Sequence, residues 1–123
     1  MKKSCFKQGE RMNIKSAKSK GRRLQNLLRD LLRKSFPTLD ENDITSQIMG
    51  CKGEDIILSP LARKTIRYSF ECKNKERLNL WESLQQAEDN CEDRTPVLVF
   101  KRNRSKVYVA LELDKFLDLI KEK

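Results

Sequence analysis

The chain has 123 residues, the length of one domain, and its net charge is 27 − 18 = +9 at pH 7. The absence of histidine excludes Ser-His-Asp and Cys-His hydrolases and zinc sites built on imidazole. No apolar run approaches the roughly 20 residues of a membrane-spanning helix, and residues 1–20 lack the apolar core of a signal peptide. We therefore expect a cytoplasmic protein with no membrane partner.

The positive charge is concentrated at the start of the chain. Residues 1–34 hold twelve Lys and Arg against Glu10 and Asp30, whereas residues 35–123 are close to neutral. Because residues 1–18 are polar and rich in Lys and Ser, we predict a basic flexible arm there and a single domain over 19–123. A solubilising tail is one interpretation of this arm, and a nucleic-acid partner is the favoured one.

The first helix is predicted from about Ser19 to Phe36. Leucines from Leu24 to Leu32 recur at spacings of three and four and form one apolar stripe, and Pro37 ends the pattern. A second face of this helix is polar and basic and carries Arg22, Gln25, Arg29 and Arg33. The acidic segment that follows predicts a helical turn after residue 40.

Three short strands are predicted next, over residues 47–49, 55–58 and 68–73. Gly50 and Gly53 bracket a turn between the first two strands, and Ser59-Pro60 breaks the second. The third strand alternates strictly, so we expect Glu71 and Lys73 to point to one face and Cys72 to the other.

The second half of the chain predicts a helix, two strands and a last helix. The second helix spans Leu78 to Cys91, and strands over 96–100 and 107–113 enclose a basic turn, Lys101–Lys106. Asp114 is the expected cap of the last helix. Strands flanked by helices in this order indicate a three-layer α/β fold. The four cysteines form no CxxC pair, which predicts free thiols rather than a zinc site.

The third strand carries the residues most suggestive of chemistry. Glu71 and Lys73 are two residues apart on one face, and Asp55 of the preceding strand is expected beside them. Two adjacent carboxylates suit a hard divalent cation such as Mg²⁺, which can activate water and offset phosphoryl charge. A nearby Lys73 would add a positive charge for the scissile phosphate. A solvated ion pair on the sheet is the alternative interpretation of Glu71 and Lys73.

Asp55 followed by Glu71-Cys72-Lys73 resembles the core motif of the PD-(D/E)XK nuclease superfamily. Within it, the chain is similar to archaeal-type Holliday junction resolvases and related small phage endonucleases over roughly residues 19–120. Gly21 to Gln25 matches the Gly-x-x-x-Glu of the family's first helix, and Gln86-Ala87-Glu88 matches a later helical segment. The resemblance implies a restriction-endonuclease-like core with a mixed central sheet flanked by helices.

The resemblance also implies roles for individual residues. The implied catalytic residues are Asp55, Glu71, Lys73, Gln86 and Gln25. Asp55 and Glu71 would bind Mg²⁺, or Mn²⁺ in its place, with the Cys72 carbonyl completing the metal site. Gln86 would be a polar helper, a role for which the neighbouring Gln85 competes.

Two positions depart from the family pattern. Gln25 replaces the Glu of the first helix, which puts a second metal in doubt, and an ordinary exposed helix residue is the alternative. Glu54 replaces the Pro before Asp55. A third carboxylate near the site is one interpretation of Glu54. Because Glu54 and Asp55 are neighbours on a strand, we favour a Glu54 that points outward, away from the site.

The function implied is an Mg²⁺-dependent endonuclease, most concretely a homodimeric Holliday junction resolvase that makes paired nicks in four-way DNA junctions. The alternatives are a nuclease of the same fold acting on flap, nicked or duplex DNA, and a non-catalytic DNA-binding protein on a decayed nuclease scaffold. The residues expected to contact DNA are all basic: Lys20, Arg22, Arg23, Arg29, Arg33, Lys101, Arg102 and Arg104. Trp81 is expected in the core or in a dimer interface, with a base-stacking residue as the alternative.

Overall fold

A computed structural model describes residues 8–48 and 53–122. Its helices are α1 (Gln8–Ser35), α2 (Pro60–Thr65), α3 (Leu80–Asp89) and α4 (Leu113–Lys121). Its strands are β1 (Ile44–Ser46), β2 (Ile56–Leu58), β3 (Tyr68–Asn74), β4 (Thr95–Lys101) and β5 (Tyr108–Ala110). Cys72 and Cys91 are free thiols, while Cys5, Met49, Gly50 and Cys51 lie outside the described residues. None of the described helices is long and apolar enough to cross a membrane.

The central sheet is mixed, with β4 between its neighbours. β3 runs parallel to β4, and β5 is antiparallel to β4. β1 and β2 form an antiparallel pair, and this pair is joined to β3 where the Asp55 N–H donates to the Phe70 carbonyl at 3.1 Å. The pairing brings the start of β2 to the free edge of β3.

Helices cover both faces of the central sheet. On one face, Leu24 of α1 packs in a buried cluster with Cys72, Val97 and Val99. On the other, Leu98 is fully buried and α3 packs against β3 and β4. This arrangement confirms the α/β, restriction-endonuclease-like fold class predicted from the sequence.

A second buried cluster lies between α1 and the β1–β2 pair. It contains Ile44, Ile56, Leu58, Ala62 and Ile66. Leu28, Tyr68 and Phe70 pack against both clusters. The same residues therefore pack α1 on the central sheet and on β1–β2, next to the start of β2.

The first helix is longer than predicted. It begins at Gln8 rather than at Ser19, so the part of the predicted arm that the structure describes is helical. Lys, Arg, Gln and Ala are favourable helix residues, and extending an existing helix costs far less than starting one. The leucine stripe marks the packed part of the helix, not its start.

Three further elements differ from the sequence predictions. The first strand is β1, ending at Ser46, rather than residues 47–49. Ser59-Pro60 starts α2 instead of only ending β2, because the Ser59 hydroxyl accepts from the Ala62 N–H at 3.1 Å and proline suits the first helical turn. Glu112, not Asp114, is the N-cap residue of α4. The predicted turn after Asp40 is present as a 3₁₀ turn, Glu41–Asp43.

Candidate active site

The Asp55 carboxyl lies against the middle of β3. One carboxyl oxygen, Oδ2, accepts from the Cys72 backbone N–H at 2.6 Å, and the Gln25 side chain of α1 also hydrogen-bonds this carboxyl. The Asp55 backbone bonds on both sides, to Phe70 of β3 and to Gln47. Main chain and side chain together therefore fix the position of Asp55 relative to β3.

Glu71 and Lys73 share one face of β3 beside Asp55. The Lys73 Nζ lies 3.6 Å from Glu71 Oε2, and both side chains are largely buried. Glu71 Oε1 is buried and has no hydrogen-bond partner. The contact between Glu71 and Lys73 agrees with their two-residue spacing on the strand, and the unpartnered oxygen leaves a lone pair for a further group.

Both carboxyl groups are shifted toward the protonated form. Burial raises the pKa of Asp55, which the Cys72 N–H and the Lys73 charge partly oppose. Burial, and then the negative charge of Asp55, raise the pKa of Glu71, while Lys73 and the Asn90 amide act in the other direction. Two carboxylates in one buried space repel each other, so a cation added between them would stabilise both.

Gln25 belongs to the same cluster. The residue is 6% exposed, its side chain hydrogen-bonds Asp55, and its Oε1 is buried without a partner. An amide has one donor group and one acceptor oxygen, so this oxygen is also available to a ligand. The interpretation of Gln25 as an ordinary exposed residue is therefore wrong.

The donors in this cluster suit a hard divalent cation. Carboxylate and amide oxygens are the ligand type of Mg²⁺ and Mn²⁺, and Glu71 and Gln25 each offer an unpartnered oxygen. The described residues contain no group of three or more Asp, Glu, Cys or His that could hold a metal. A cation bound here would therefore need Gln25 or a backbone carbonyl in addition to the two carboxylates.

The Cys72 thiol takes no part in the cluster. It packs with Leu24 and Val97 on the opposite face of the sheet, and burial raises the pKa of the thiol above its ordinary value. The thiol therefore stays protonated and acts as apolar filling. The Cys72 carbonyl as a metal ligand stays a prediction.

Among the described residues, neither glutamine of α3 forms a hydrogen bond with the cluster. Gln85 is exposed and donates to Asp89 at 2.9 Å, and Gln86 is half-buried. Asn90, the C-cap residue of α3, is the residue of this helix whose side chain hydrogen-bonds Glu71. The sequence signal that could have found Asn90 is its position four residues after Gln86, on the same helix face.

Glu54 lies just before β2 and is 8% exposed. Its carboxylate is buried, accepts from the Ser69 hydroxyl at 2.9 Å and forms an ion pair with Arg94, whose side chain is fully buried. Arg94 also donates to the Tyr68 carbonyl at 3.2 Å, and Arg63 lies 3.9 Å from the Glu54 carboxylate. The expectation of an outward-facing Glu54 is wrong because Arg94 supplies a buried counter-charge.

Half of the predicted DNA-binding residues line one cleft beside this cluster. The cleft has a volume of about 280 Å³, and its basic residues are Lys20, Arg23, Lys101 and Arg104. Asn74, the residue after Lys73, also lines it and donates to the Lys20 carbonyl at 3.3 Å. We call this surface the basic cleft; it joins α1 and the β4–β5 turn at the end of the strand that carries Glu71 and Lys73.

The other predicted DNA-binding residues lie elsewhere. Arg22 is exposed on α1 and Arg102 lies on the α3 side of the β4–β5 turn. Arg29 is paired with Asp30 at 2.9 Å. Arg33 donates to the carbonyls of residues 44 and 41, both at 3.0 Å, and so holds α1 to the segment that follows it.

Trp81 is 79% exposed. The expectation of a core position is therefore wrong, and a dimer contact stays a prediction.

The family described as "Phage putative PDDEXK endonuclease" matches residues 16–123, which include the whole cluster and the basic cleft. Comparison with curated proteins and with solved structures gives no match.

Proposed function

The chain belongs to this family of PDDEXK endonucleases, and from that membership we propose that it is a divalent-cation-dependent nuclease that resolves four-way DNA junctions. Membership in the family makes it an endonuclease that hydrolyses phosphodiester bonds in DNA. The choice of the four-way junction and of Mg²⁺ is our proposal. The observation that supports it most is the meeting of Asp55, Glu71 and Lys73 in one buried cluster beside a basic cleft.

In this proposal Asp55 and Glu71 hold the cation, and Gln25 or the Cys72 carbonyl adds a neutral oxygen. A bound Mg²⁺ or Mn²⁺ supplies positive charge that lowers the pKa of water and offsets the charge of the phosphoryl transition state. Lys73 is the catalytic lysine: its ammonium stands 3.6 Å from Glu71, where it orients the attacking water or the scissile phosphate. The expected products carry 5′-phosphate and 3′-hydroxyl ends.

Gln86 is a remaining candidate for a polar helper near the scissile bond. It shares the α3 face that brings Asn90 to Glu71. We propose that Asn90 is the stronger helper, because its side chain hydrogen-bonds a cluster carboxylate in the protein alone.

The preference for branched DNA is supported by the character of the basic cleft. Its cations are suited to phosphates, and phosphate contacts position a duplex without reading its sequence. A homodimer would present two such clefts related by a two-fold axis, which suits paired nicks in the two-fold arrangement of a four-way junction. The homodimer is part of the proposal.

The test is cleavage of a labelled four-way junction beside its linear duplex and a flap of the same sequence, in Mg²⁺ and in EDTA. We expect paired nicks in the junction, in Mg²⁺ only. Lys73→Ala should bind the junction and leave it uncut, while Lys64→Ala, an exposed lysine of α2, should cut normally. Equal cutting of the linear duplex would rule out the resolvase and leave a nuclease of the same fold with another DNA substrate.

A non-catalytic DNA-binding protein is the second candidate, and Gln25 is the observation that favours it. An amide in place of the family's carboxylate removes one anionic cation ligand. Salt-sensitive binding of DNA with no cleavage in either Mg²⁺ or Mn²⁺ would support this candidate.

A further inference from the structure

A pocket opens on the side of the β4–β5 turn opposite the basic cleft. It has a volume of about 330 Å³, within the range of small-molecule sites. Its apolar wall comes from Leu78, Leu80, Phe100 and Tyr108, and its rim carries Lys75, Lys101 and Arg102. We call it the aromatic pocket. Lys101 is the one lining residue that it shares with the basic cleft, and it contains none of the residues of the proposed metal site.

The aromatic pocket is one strand away from the catalytic lysine. In the sheet register Lys73 is opposite Phe100, and Phe100 is opposite Tyr108. Residues directly opposite each other on neighbouring strands share a face of the sheet, and the strands are about 4.8 Å apart. Lys73, Phe100 and Tyr108 therefore lie side by side across the three strands, on the face of the sheet that also carries Glu71.

The two rings leave an aromatic surface open to a ligand. The Phe100 and Tyr108 ring centroids are 6.2 Å apart with planes tilted by 35°, so the rings are not stacked on one another. Tyr108 is 54% exposed. A flat aromatic group could therefore lie on the free side of the tyrosine.

The rim of the pocket is positively charged. The acid that lines it, Glu76, accepts from the Asn103 backbone N–H at 2.5 Å and so holds the turn. Lys75, Lys101 and Arg102 remain to bind anions. An aromatic surface bordered by cations matches a nucleotide, whose base stacks on the ring and whose phosphate meets the cations.

We propose that the aromatic pocket receives one unstacked nucleobase of the bound DNA, with Tyr108 as the stacking surface and Arg102 and Lys75 on the flanking phosphates. This proposal rests on the proposed DNA nuclease function and explains how the nuclease would select its substrate. Extruding a base costs least where the base is unpaired or poorly stacked. Such a pocket selects interrupted duplexes over continuous ones without reading their sequence.

The test is binding in EDTA, where cleavage does not interfere, to two duplexes that differ by a single unpaired nucleotide. Wild-type protein should bind the bulged duplex more tightly than the paired one. Tyr108→Leu, which keeps an apolar side chain against Phe100, should weaken binding to the bulged duplex about tenfold and leave the paired duplex unchanged. Tyr108→Phe should retain the preference because the ring remains.

Phe116→Leu is the matched control, since Phe116 is an exposed aromatic of α4 outside the aromatic pocket and its removal should not change the preference. Thermal unfolding of each variant reports whether the fold is intact. If Tyr108→Leu is unfolded, Arg102→Ala at the exposed turn should lower the preference for the bulged duplex instead.

The proposal is overturned if Tyr108→Leu is folded and binds both duplexes as wild type does, or weakens both equally. Failure of the resolvase function has a different signature. If the protein prefers the bulged duplex through Tyr108 but does not cut four-way junctions, the pocket proposal is supported and the resolvase function is ruled out. If the protein cuts four-way junctions but shows no preference for the bulged duplex, the resolvase function is supported and the pocket proposal is ruled out.

Discussion

The negative charge of Asp55 makes the charged form of Glu71 less favourable. Burial raises the pKa of both groups, and the charge of Asp55 adds to the shift of Glu71. The folded protein without metal therefore binds protons more tightly than the unfolded chain does. By linkage, the contribution of these groups to the free energy of unfolding falls as pH rises through the interval between the unfolded and folded pKa values.

Asp55→Asn should therefore stabilise the metal-free protein at pH 7. We expect a gain of about 0.5–2 kcal/mol in the free energy of unfolding, because the amide oxygen can still accept from the Cys72 N–H while the repulsion disappears. The gain should shrink as pH falls toward about 4, the ordinary range of carboxyl groups. Urea denaturation in EDTA over pH 4–8 measures it.

The control is Asp114→Asn, which removes a charge from an exposed position in the first turn of α4 and should give no gain. A gain for Asp55→Asn that stays constant with pH would contradict the assignment of burial as the cause.

Gln25→Glu tests whether the cluster is built for a cation. A third carboxylate beside Asp55 should lower the stability of the metal-free protein by about 1–3 kcal/mol, the cost of an uncompensated buried polar group. Added Mg²⁺ or Mn²⁺ should then raise the melting temperature more than in wild type, because the site has gained an anionic oxygen. Thermal scans over a series of metal concentrations measure both effects.

Gln85→Glu is the matched control for this change. Gln85 is exposed on α3 and donates to Asp89 at 2.9 Å, so the added charge should lower stability by only about 0.5 kcal/mol and should not change the response to metal. An equal metal response in both variants would show that Gln25 does not border a cation site.

At the scale of secondary structure, periodicity decides what the sequence predicts well. The leucine stripe of α1 and the alternation of β3 are long enough to be recognised, and the pairing of Glu71 with Lys73 follows from β3. β1 and α2 have only three and six residues, too few for a periodic signal. β1 is defined by its pairing with β2, and Ser59-Pro60 is compatible both with the end of a strand and with the start of a helix.

The contacts of the candidate site also fall into those that the sequence predicts and those that it does not. The meeting of Glu71 and Lys73 follows from strand geometry, and Asp55 follows from the order of the strands. The contact of Asn90 with Glu71 and the burial of Glu54 depend on how α3 and the segment before β4 pack. The spacing of four residues from Gln86 is the one local signal for Asn90, and no local pattern encodes the burial of Glu54, so the sequence analysis predicted neither contact.

The buried pair of Glu54 and Arg94 ties the start of β2 to β3 and β4. Glu54→Gln should cost about 3–5 kcal/mol of unfolding free energy, because it leaves the fully buried Arg94 guanidinium without a counter-charge. Glu92→Gln is the control: Glu92 is the exposed partner of Arg63, and its replacement should cost at most about 1 kcal/mol. Urea denaturation measures both.

A second substitution tests whether the unpaired charge of Arg94 causes the loss of stability. Adding Arg94→Met to Glu54→Gln removes the unpaired charge and should recover part of the stability. If Glu54→Gln costs no more than Glu92→Gln, the pair does not hold β2 in place.

At the scale of the whole molecule, basic residues from the first 34 positions lie next to the second basic segment, Lys101–Lys106. α1 contributes Lys20 and Arg23 to the basic cleft, and the region of the β4–β5 turn contributes Lys101 and Arg104. Segments some eighty residues apart in the chain thus form one surface at the end of β3. This surface is where we expect the phosphates of the substrate.

The dependence of DNA binding on salt tests this surface. Removing one protein–phosphate interaction reduces the slope of log K against log salt by about 0.9, so Arg23→Gln/Arg104→Gln should reduce it by nearly 2. Interactions with phosphates are common to all duplexes, so four-way junction and linear duplex should weaken by a similar factor. Lys64→Gln/Lys121→Gln removes the same charge from α2 and α4, outside the basic cleft. An equal change in slope for both double variants would mean that net charge, not the basic cleft, governs binding.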